Sequence, residues 1–433
     1  MSAAGTVFCR ALGQVPPPGS RLCSGGCGVY SLHYHAGGQL LYTLYCDAVL
    51  AAAEPCGGVE FYRLGEGAGW RGGDRRNAVA SVDSEVYVAS SVEMPIATPR
   101  GVSARRVLQV HRYRVGVGLE RLWARETGGE VLGLLYNPAR GSLLALLGAG
   151  HPSPGVYEVY PEERLVAPIR AAAGAPGARD LLCIAHEPSG GRVPGLTCLD
   201  PLDYRGYTLG GQQLDASVDG YRVEEPEPAA VAAASGEAVA VAARGMLALY
   251  HPDGSVKAYR LMDIPGYRPA PNTAPSPWGA PVLLYTSPQG PSIAVEVRAP
   301  APRIIGAVSG EATSLTYACG GLLAGVRGPG CRRGVAVLQE ARPLTLSFPV
   351  GSAAPSGGVP LEGYREAVAT LYSERDGYLV AYGYSLDHGP GEAEAVRYRV
   401  SRGANLVDLS PLQGLVVSLR MERGEARVRL HLS

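Results

Sequence analysis

Five positions and one loop hold the side chains with which this chain could do chemistry. His33 and His35 alternate in one apolar segment, Asp83 follows a second, and His186 stands beside Glu187 at the end of a third. Imidazole next to carboxylate is the pairing from which a general acid and base are built, and imidazoles converging from several segments can hold a metal ion. The loop Trp70-Arg71-Gly72-Gly73-Asp74-Arg75-Arg76-Asn77 adds glycines that let backbone approach a ligand, and Arg75, whose forked donors match a carboxylate or phosphate. Asp74 and Asn77 would equally serve by accepting backbone N–H bonds within a turn. His33, His35, Asp74, Arg75, Asn77, Asp83, His186 and Glu187 are thus the candidate ligand-binding residues, against the plainer account that each is solvated or bonded to backbone. Asn137 and Glu374 occupy comparable places in other segments.

No complete catalytic signature accompanies these residues. The chain lacks a Gly-x-Ser-x-Gly elbow, a Walker loop, a His-Glu-x-x-His motif and a dinucleotide fingerprint. Cys23 and Cys27 supply half of a zinc knuckle that no second pair answers, so no metal site and no cofactor are predicted.

The elements that must position the candidates are strands. Apolar or alternating runs of four to eight residues, bounded by Gly, Pro, Asn and Asp, open near Val29, Ala78, Val131, Leu181, Val231, Val282, Leu315 and Val368. The first five openings are spaced by 49, 53, 50 and 50 residues. A period near fifty with three or four strands in each repeat is the pattern of a β-propeller. Around Val231 the repeat is clearest: Ser235-Gly236-Glu237, Arg244-Gly245 and Asp253-Gly254 separate four strands, and Asp-Gly supplies the positive φ of a tight hairpin.

The predicted fold is therefore all-β, a propeller of seven or eight four-stranded blades forming one domain over residues 1–433. The N-terminal strand TVFCRAL is expected to complete a C-terminal blade with the hairpin LVVSLRMERGEARVRLHLS, which turns at Arg423-Gly424. An unclosed ring would leave a long open edge. Residues 171–177 and 265–277 read as loops between blades. Two longer loops inside blades, 47–58 and 93–104, would overhang the channel mouth, where pockets fed by several blades are expected.

Composition narrows the function classes. With 39 basic and 39 acidic residues, nothing suggests nucleic acid, whose phosphates would demand a basic face. No apolar run reaches membrane-spanning length, and the N-terminus lacks a signal-peptide pattern, so a cytoplasmic protein is expected. Only Lys257 among the basic residues is lysine, a bias that accompanies GC-rich genomes and suits a hot environment.

Residues 24–47, SGGCGVYSLHYHAGGQLLYTLYCD, with Gly72-Gly73-Asp74, Asn77-Ala78-Val79, Val82-Asp83 and Val86-Tyr87, resemble an archaeal family known as domain of unknown function 2139. The resemblance implies a propeller-like fold and an archaeal, often thermophilic, source. It brings no activity or catalytic residues, and Cys23 and Cys27 stand outside its pattern. Two functions remain open. One is a binding module that takes a protein or a small polar ligand on its loop-rich face. The other is an enzyme acting on a carbohydrate or polar metabolite in the central channel, metal-assisted through His33, His35 and His186.

Of the nine cysteines, Cys183 and Cys198, Cys319 and Cys331, and Cys46 and Cys56 bracket predicted turns at separations a disulfide can span; buried free thiols and metal ligation are the alternatives. Cytosolic disulfides are otherwise rare outside hyperthermophiles. Thiol counting in denaturant checks the pairing. Fewer than nine reactive groups are expected, and nine would exclude any disulfide.

Overall fold

The computed structural model describes residues 27–34, 39–44, 49–53, 59–64, 71–72, 78–82, 85–126, 131–148, 151, 153–169, 171–176, 181–186, 195–209, 230–233, 238–243, 245–270, 274–275, 280–318, 321–328, 334–388 and 393–433. Seven antiparallel units follow one another in these residues. The first holds β1 (Cys27–Tyr34), β2 (Leu40–Leu44), β3 (Val49–Ala53) and β4 (Val59–Arg63). In the second, β5 (Arg71–Gly72) and β6 (Ala78–Val82) both pair with β7 (Glu85–Thr98), followed by β8 (Gly101–Arg114) and β9 (Gly118–Glu126). The third has β10 (Val131–Asn137), β11 (Ser142–Leu147), β12 (Gly155–Tyr160) and β13 (Arg164–Ala167). The fourth has β14 (Ala171–Pro176), β15 (Leu182–His186), β16 (Leu196–Leu199) and β17 (Gly206–Leu209). The fifth has β18 (Ala230–Ala233), β19 (Val239–Ala243), β20 (Met246–Tyr250) and β21 (Val256–Arg260). The sixth pairs β22 (Arg268–Pro269) and β23 (Ala274–Pro275) with β24 (Pro281–Thr286), then adds β25 (Pro291–Glu296) and β26 (Arg303–Ser309). The seventh has β27 (Glu311–Ala318), β28 (Gly321–Gly328) and β29 (Val335–Val337).

First strands of neighbouring units lie side by side in the closed order β1, β6, β10, β14, β18, β23, β27 and back to β1. This is the arrangement of a β-propeller, each unit a blade. The ring closes between its first and seventh blades: Cys27 pairs with Gly328 and Gly28 with Arg327, and Tyr34 N–H donates to Thr316 Oγ1 at 3.1 Å. Middle strands such as β11 and β24 are buried along their whole length. That is why they read as continuous apolar runs, since each blade is covered on both faces. The repeat that opens at Val231 folds as the four-stranded meander expected, with Gly254 at φ +84 in its Asp-Gly turn and Asp253 Oδ1 accepting the Ser255 N–H at 2.8 Å.

Residues 344–433 depart from the repeat. They form two four-stranded sheets, β30 (Leu344–Gly351), β37 (Glu425–Leu432), β32 (Ala367–Ser373), β35 (Gly403–Asp408) and β31 (Ser356–Pro360), β36 (Val416–Met421), β33 (Gly377–Tyr384), β34 (Glu394–Val400), each in that spatial order. The opening at Val368 therefore belongs to a sandwich and not to an eighth blade. β36 and β37, expected as a hairpin, lie in opposite sheets, and β37 is flanked on both sides by β30 and β32. TVFCRAL itself lies outside the described residues. Apolar alternation marks β37 as a strand with one buried face, but the short turn before it serves equally within a sheet or between two.

Two expected loops are strands. Residues 171–176 form β14 and parts of 265–277 form β22 and β23. Alanine and glycine are poor strand formers, yet crowding near the ring axis demands them: a Cβ on Gly174 would lie 2.8 Å from Leu135 Cδ1.

The sandwich shares one apolar core with the fifth and sixth blades, in which Leu249, Tyr259, Tyr285 and Ile293 join Phe348, Tyr384, Leu419 and Leu430. Rings of Tyr259 and Tyr384 stack at 6.2 Å across the junction. Arg260 is 1 % exposed there. Its guanidinium donates to Asp263 Oδ2 at 2.7 Å and to the Pro355 carbonyl, and its own carbonyl accepts from the Tyr384 hydroxyl. Met262 N–H to Gly358 O and Gly357 N–H to Asp263 O, both 2.9 Å, complete the clasp. Gly358 has φ +55 and a Cβ there would meet the Arg260 carbonyl carbon at 3.0 Å.

Cys183 and Cys198 face each other across β15 and β16 and are joined as a disulfide with Cα atoms 4.0 Å apart. The other expected pairs lie outside the described residues. Stripping Asp263 from the clasp strands a buried cation. Asp263→Ala should lower stability by about 3 kcal/mol and Arg260→Met, which removes the charge itself, by less. Denaturant midpoints of the two variants check the order.

Candidate functional site

Among the predicted site residues, His35, Asp74, Arg75, Asn77, Asp83 and Glu187 lie outside the described residues, as does the side chain of His33, whose backbone pairs with Leu41 in β1 and β2. His186 is described. It ends β15, the second strand of its blade, because the first strand is the stretch expected to be a loop. Its N–H donates to Gly195 O at 2.8 Å, and Nε2 lies 2.6 Å from Thr197 Oγ1. The ring lies over Gly195, where a Cβ would come within 3.1 Å of Nδ1. Burial lowers its pKa, so the imidazole is neutral at neutral pH. This is a cross-strand contact within one blade, with no second imidazole or carboxylate bonded to it among the described residues.

The described first strands carry little titratable chemistry. Glu311 is their one carboxylate, and Arg268 at 3.0 Å and Arg327 at 3.9 Å engage it. No group of three or more His, Cys, Asp or Glu among the described residues could hold a metal ion, and no helix there is long and apolar enough to cross a membrane.

Polar chemistry gathers instead between the third and fourth blades. Tyr204, in the turn between β16 and β17, is held at φ +60 with its ring between Arg140 and Arg164, 5.3 and 5.2 Å from the ring centre. Its hydroxyl donates to Glu158 Oε1 at 2.9 Å and sits 2.8 Å from Ser142 Oγ. Asn137 Nδ2 donates to it at 3.2 Å and to Pro201 O at 2.6 Å. Glu158 is 4 % exposed. Burial works to raise its pKa, but hydrogen bonds from Ser142, Tyr204 and Arg164, with the Arg164 charge, outweigh burial and hold the carboxyl below its usual range. Of these residues only Asn137 stands out in the sequence. The available signal was Glu158, one charge inside the apolar strand GVYEVY.

The feature best placed to meet a partner is the hairpin of β7 and β8. Its register runs unbroken from Glu85 with Arg114 to Thr98 with Gly101. β6 accompanies it only as far as Ala89, β9 only as far as Val107, and β5 touches it at Val92 and Glu93. Beyond these no strand among the described residues accompanies the ribbon, and its tip, Ala97 to Gly101, is exposed. In a four-stranded meander the turn from second to third strand lies at the end where the chain enters the first, so the ribbon rises from the loop-rich face. Residues 93–104, expected as a loop, are instead the outer part of this paired hairpin, in which Pro95, Pro99 and Gly101 interrupt the strand pattern.

Glu158 is bound in its charged form, so it contributes stability above the unfolded carboxyl range, and this contribution is lost as pH falls from that range through the lower folded value. Tyr204→Phe should cost about 2 kcal/mol at pH 7. The melting-temperature gap between wild type and Glu158→Gln should narrow steadily as pH falls below the ordinary carboxyl range; a gap that stays unchanged there would contradict the network.

Comparison with solved structures finds similarity to a streptogramin B lyase (TM-score 0.45, 10 % identity, 74 % of this chain and 95 % of the other). A virginiamycin B lyase from Staphylococcus aureus gives 0.44, 10 %, 72 % and 94 %. YCF48 bound to D1 peptide gives 0.46, 9 %, 74 % and 94 %. No curated protein matches. The family described as uncharacterized protein conserved in archaea, DUF2139, matches residues 40–285, more than half of the chain, and the protein belongs to it.

Proposed function

We propose that the protein is a binding module that captures an extended segment of a partner protein on its loop-rich face, with the ribbon of β7 and β8 as the docking edge. The observation that supports this is the outer half of the ribbon, which no other strand among the described residues accompanies. A two-stranded ribbon presents unpaired backbone N–H and C=O groups, a template on which an added strand gains main-chain hydrogen bonds while flanking pockets choose its side chains. Isolated hairpins are marginal in water. Here the inner half is fixed between β6 and β9, so the outer half is presented in strand conformation before any partner arrives, which reduces the ordering cost of binding.

An enzyme working in the channel draws less support. Its chemistry would have to come from the first strands, whose described residues offer the arginine-bound Glu311 and the segment bearing His33.

The test replaces residues 94–105 with Asn-Gly, which closes a two-residue hairpin between Glu93 and Arg106, and compares both proteins on an array of short peptides. The shortened protein is expected to melt within about 2 °C of wild type, since Ala97 to Gly101 and Ser103 are exposed, and to lose peptide binding. Equal binding by the two proteins, or none by the intact one, overturns the proposal.

A further inference from the structure

At the root of the ribbon, the face of β7 and β8 turned toward the first blade carries a polar stripe. Ser90 is directly opposite Gln109, and His111, two residues along β8, is opposite Val88. Residues opposite one another across a ladder, or two apart in a strand, share a face. Ser90, Gln109 and His111 therefore point the same way as Val86, Val88 and Tyr113, which pack with Leu41, Leu50, Ala52 and Leu64 of the first blade. Tyr113 finds a polar partner there, its hydroxyl donating to Gln39 Oε1 at 2.9 Å.

The three residues beyond it find none among the described residues. Ser90 and Gln109 are 1 % exposed and His111 5 %. Ser90 Oγ, both amide atoms of Gln109 and His111 Nδ1 are fully buried without a hydrogen-bond partner among the described residues. Folded proteins rarely leave one such atom dry, and four on one patch of a sheet would be a heavy cost.

The chemistry of the patch restricts what could bind it. Burial first, and then the charge of Arg121, pushes the His111 imidazole down to about 4, so it is neutral at neutral pH. A cation would meet no anionic ligand among the three side chains and would be repelled by Arg121. Gln109 offers an acceptor and a donor side by side, Ser90 can act as either, and His111 Nδ1 as either according to tautomer. A partner must therefore both give and take hydrogen bonds.

We infer that Ser90, Gln109 and His111 form a buried site for a small neutral hydrogen-bonding molecule, of water or carboxamide chemistry, held between the first two blades at the root of the ribbon.

The test compares melting temperatures of wild type, Gln109→Met and Ser90→Ala, with and without acetamide, and the crystallographic density between the three side chains. Gln109→Met keeps the side-chain length and removes both polar atoms. A bound bridging molecule predicts that this variant melts about 3 °C lower, that Ser90→Ala also melts lower, and that density bridging at least two of the side chains in wild type is lost in the variant. A Gln109→Met protein that melts level with or above wild type, as when dry polar atoms give way to apolar ones, overturns the site. Acetamide that raises the melting temperature of wild type alone assigns the carboxamide; a destabilised variant with no acetamide response assigns water. Should Gln109→Met not fold, Ser90→Ala and the wild-type density decide in the same way.

Discussion

Each blade of the ring is covered on both faces by its neighbours, so its middle strands cannot carry the alternation of a half-solvated sheet. β11, β19, β20 and β24 are buried from end to end. Toward the axis the same covering becomes crowding, and the first strands thin to alanine and glycine, as at Gly174 against Leu135. The ring holds because every face finds a neighbour, including the first blade, which meets the seventh through β1, β27 and β28.

Under that constraint a polar side chain on a blade is costly unless it is paired, and the paired ones sit at junctions. Glu158 and Asn137 tie the third blade to the turn of the fourth through Tyr204. Arg260 ties the fifth blade to the sandwich. Replacing a buried ion pair with apolar groups often costs nothing, so such pairs are poor sources of stability. What they supply here is position: a ring of similar blades could slide or rotate at each apolar contact, whereas an arginine matched to one carboxylate and one carbonyl accepts a single register.

The strands were legible in the sequence because burial on both faces writes itself as apolar runs, and the turns because Asp-Gly and Gly pairs are needed where φ is positive. SLLALLGA, GVYEVY and MLALY could be placed to within a residue or two. β14 could not, because AAAGAP looks like a loop when the demand for small side chains comes from a blade distant in sequence. Nor could the sandwich, since Val368 and its neighbours carry the same apolar signal as a blade and only the partners differ. The site was less legible still. His186 looked like chemistry and serves to bond Thr197, while Glu158, Gln109 and His111 lie within strands whose apolar context conceals them.

The same packing constrains where function can reside. Side chains in the described blades are largely consumed by holding the ring together, and the ribbon that rises above it is asymmetric. Along β7 the edge is occupied at the root by β5, which pairs with Val92 and Glu93. A little further on it is blunted by Pro95, which has no N–H to offer. Along β8 the last accompanying pair among the described residues is Val107 with Glu126, and from Arg106 to Gly101 no proline interrupts the strand. Proline on one side and its lack on the other make the two edges unequal templates for sheet extension. For the strand capture proposed above, the β8 side is therefore the edge on which an incoming segment would pair.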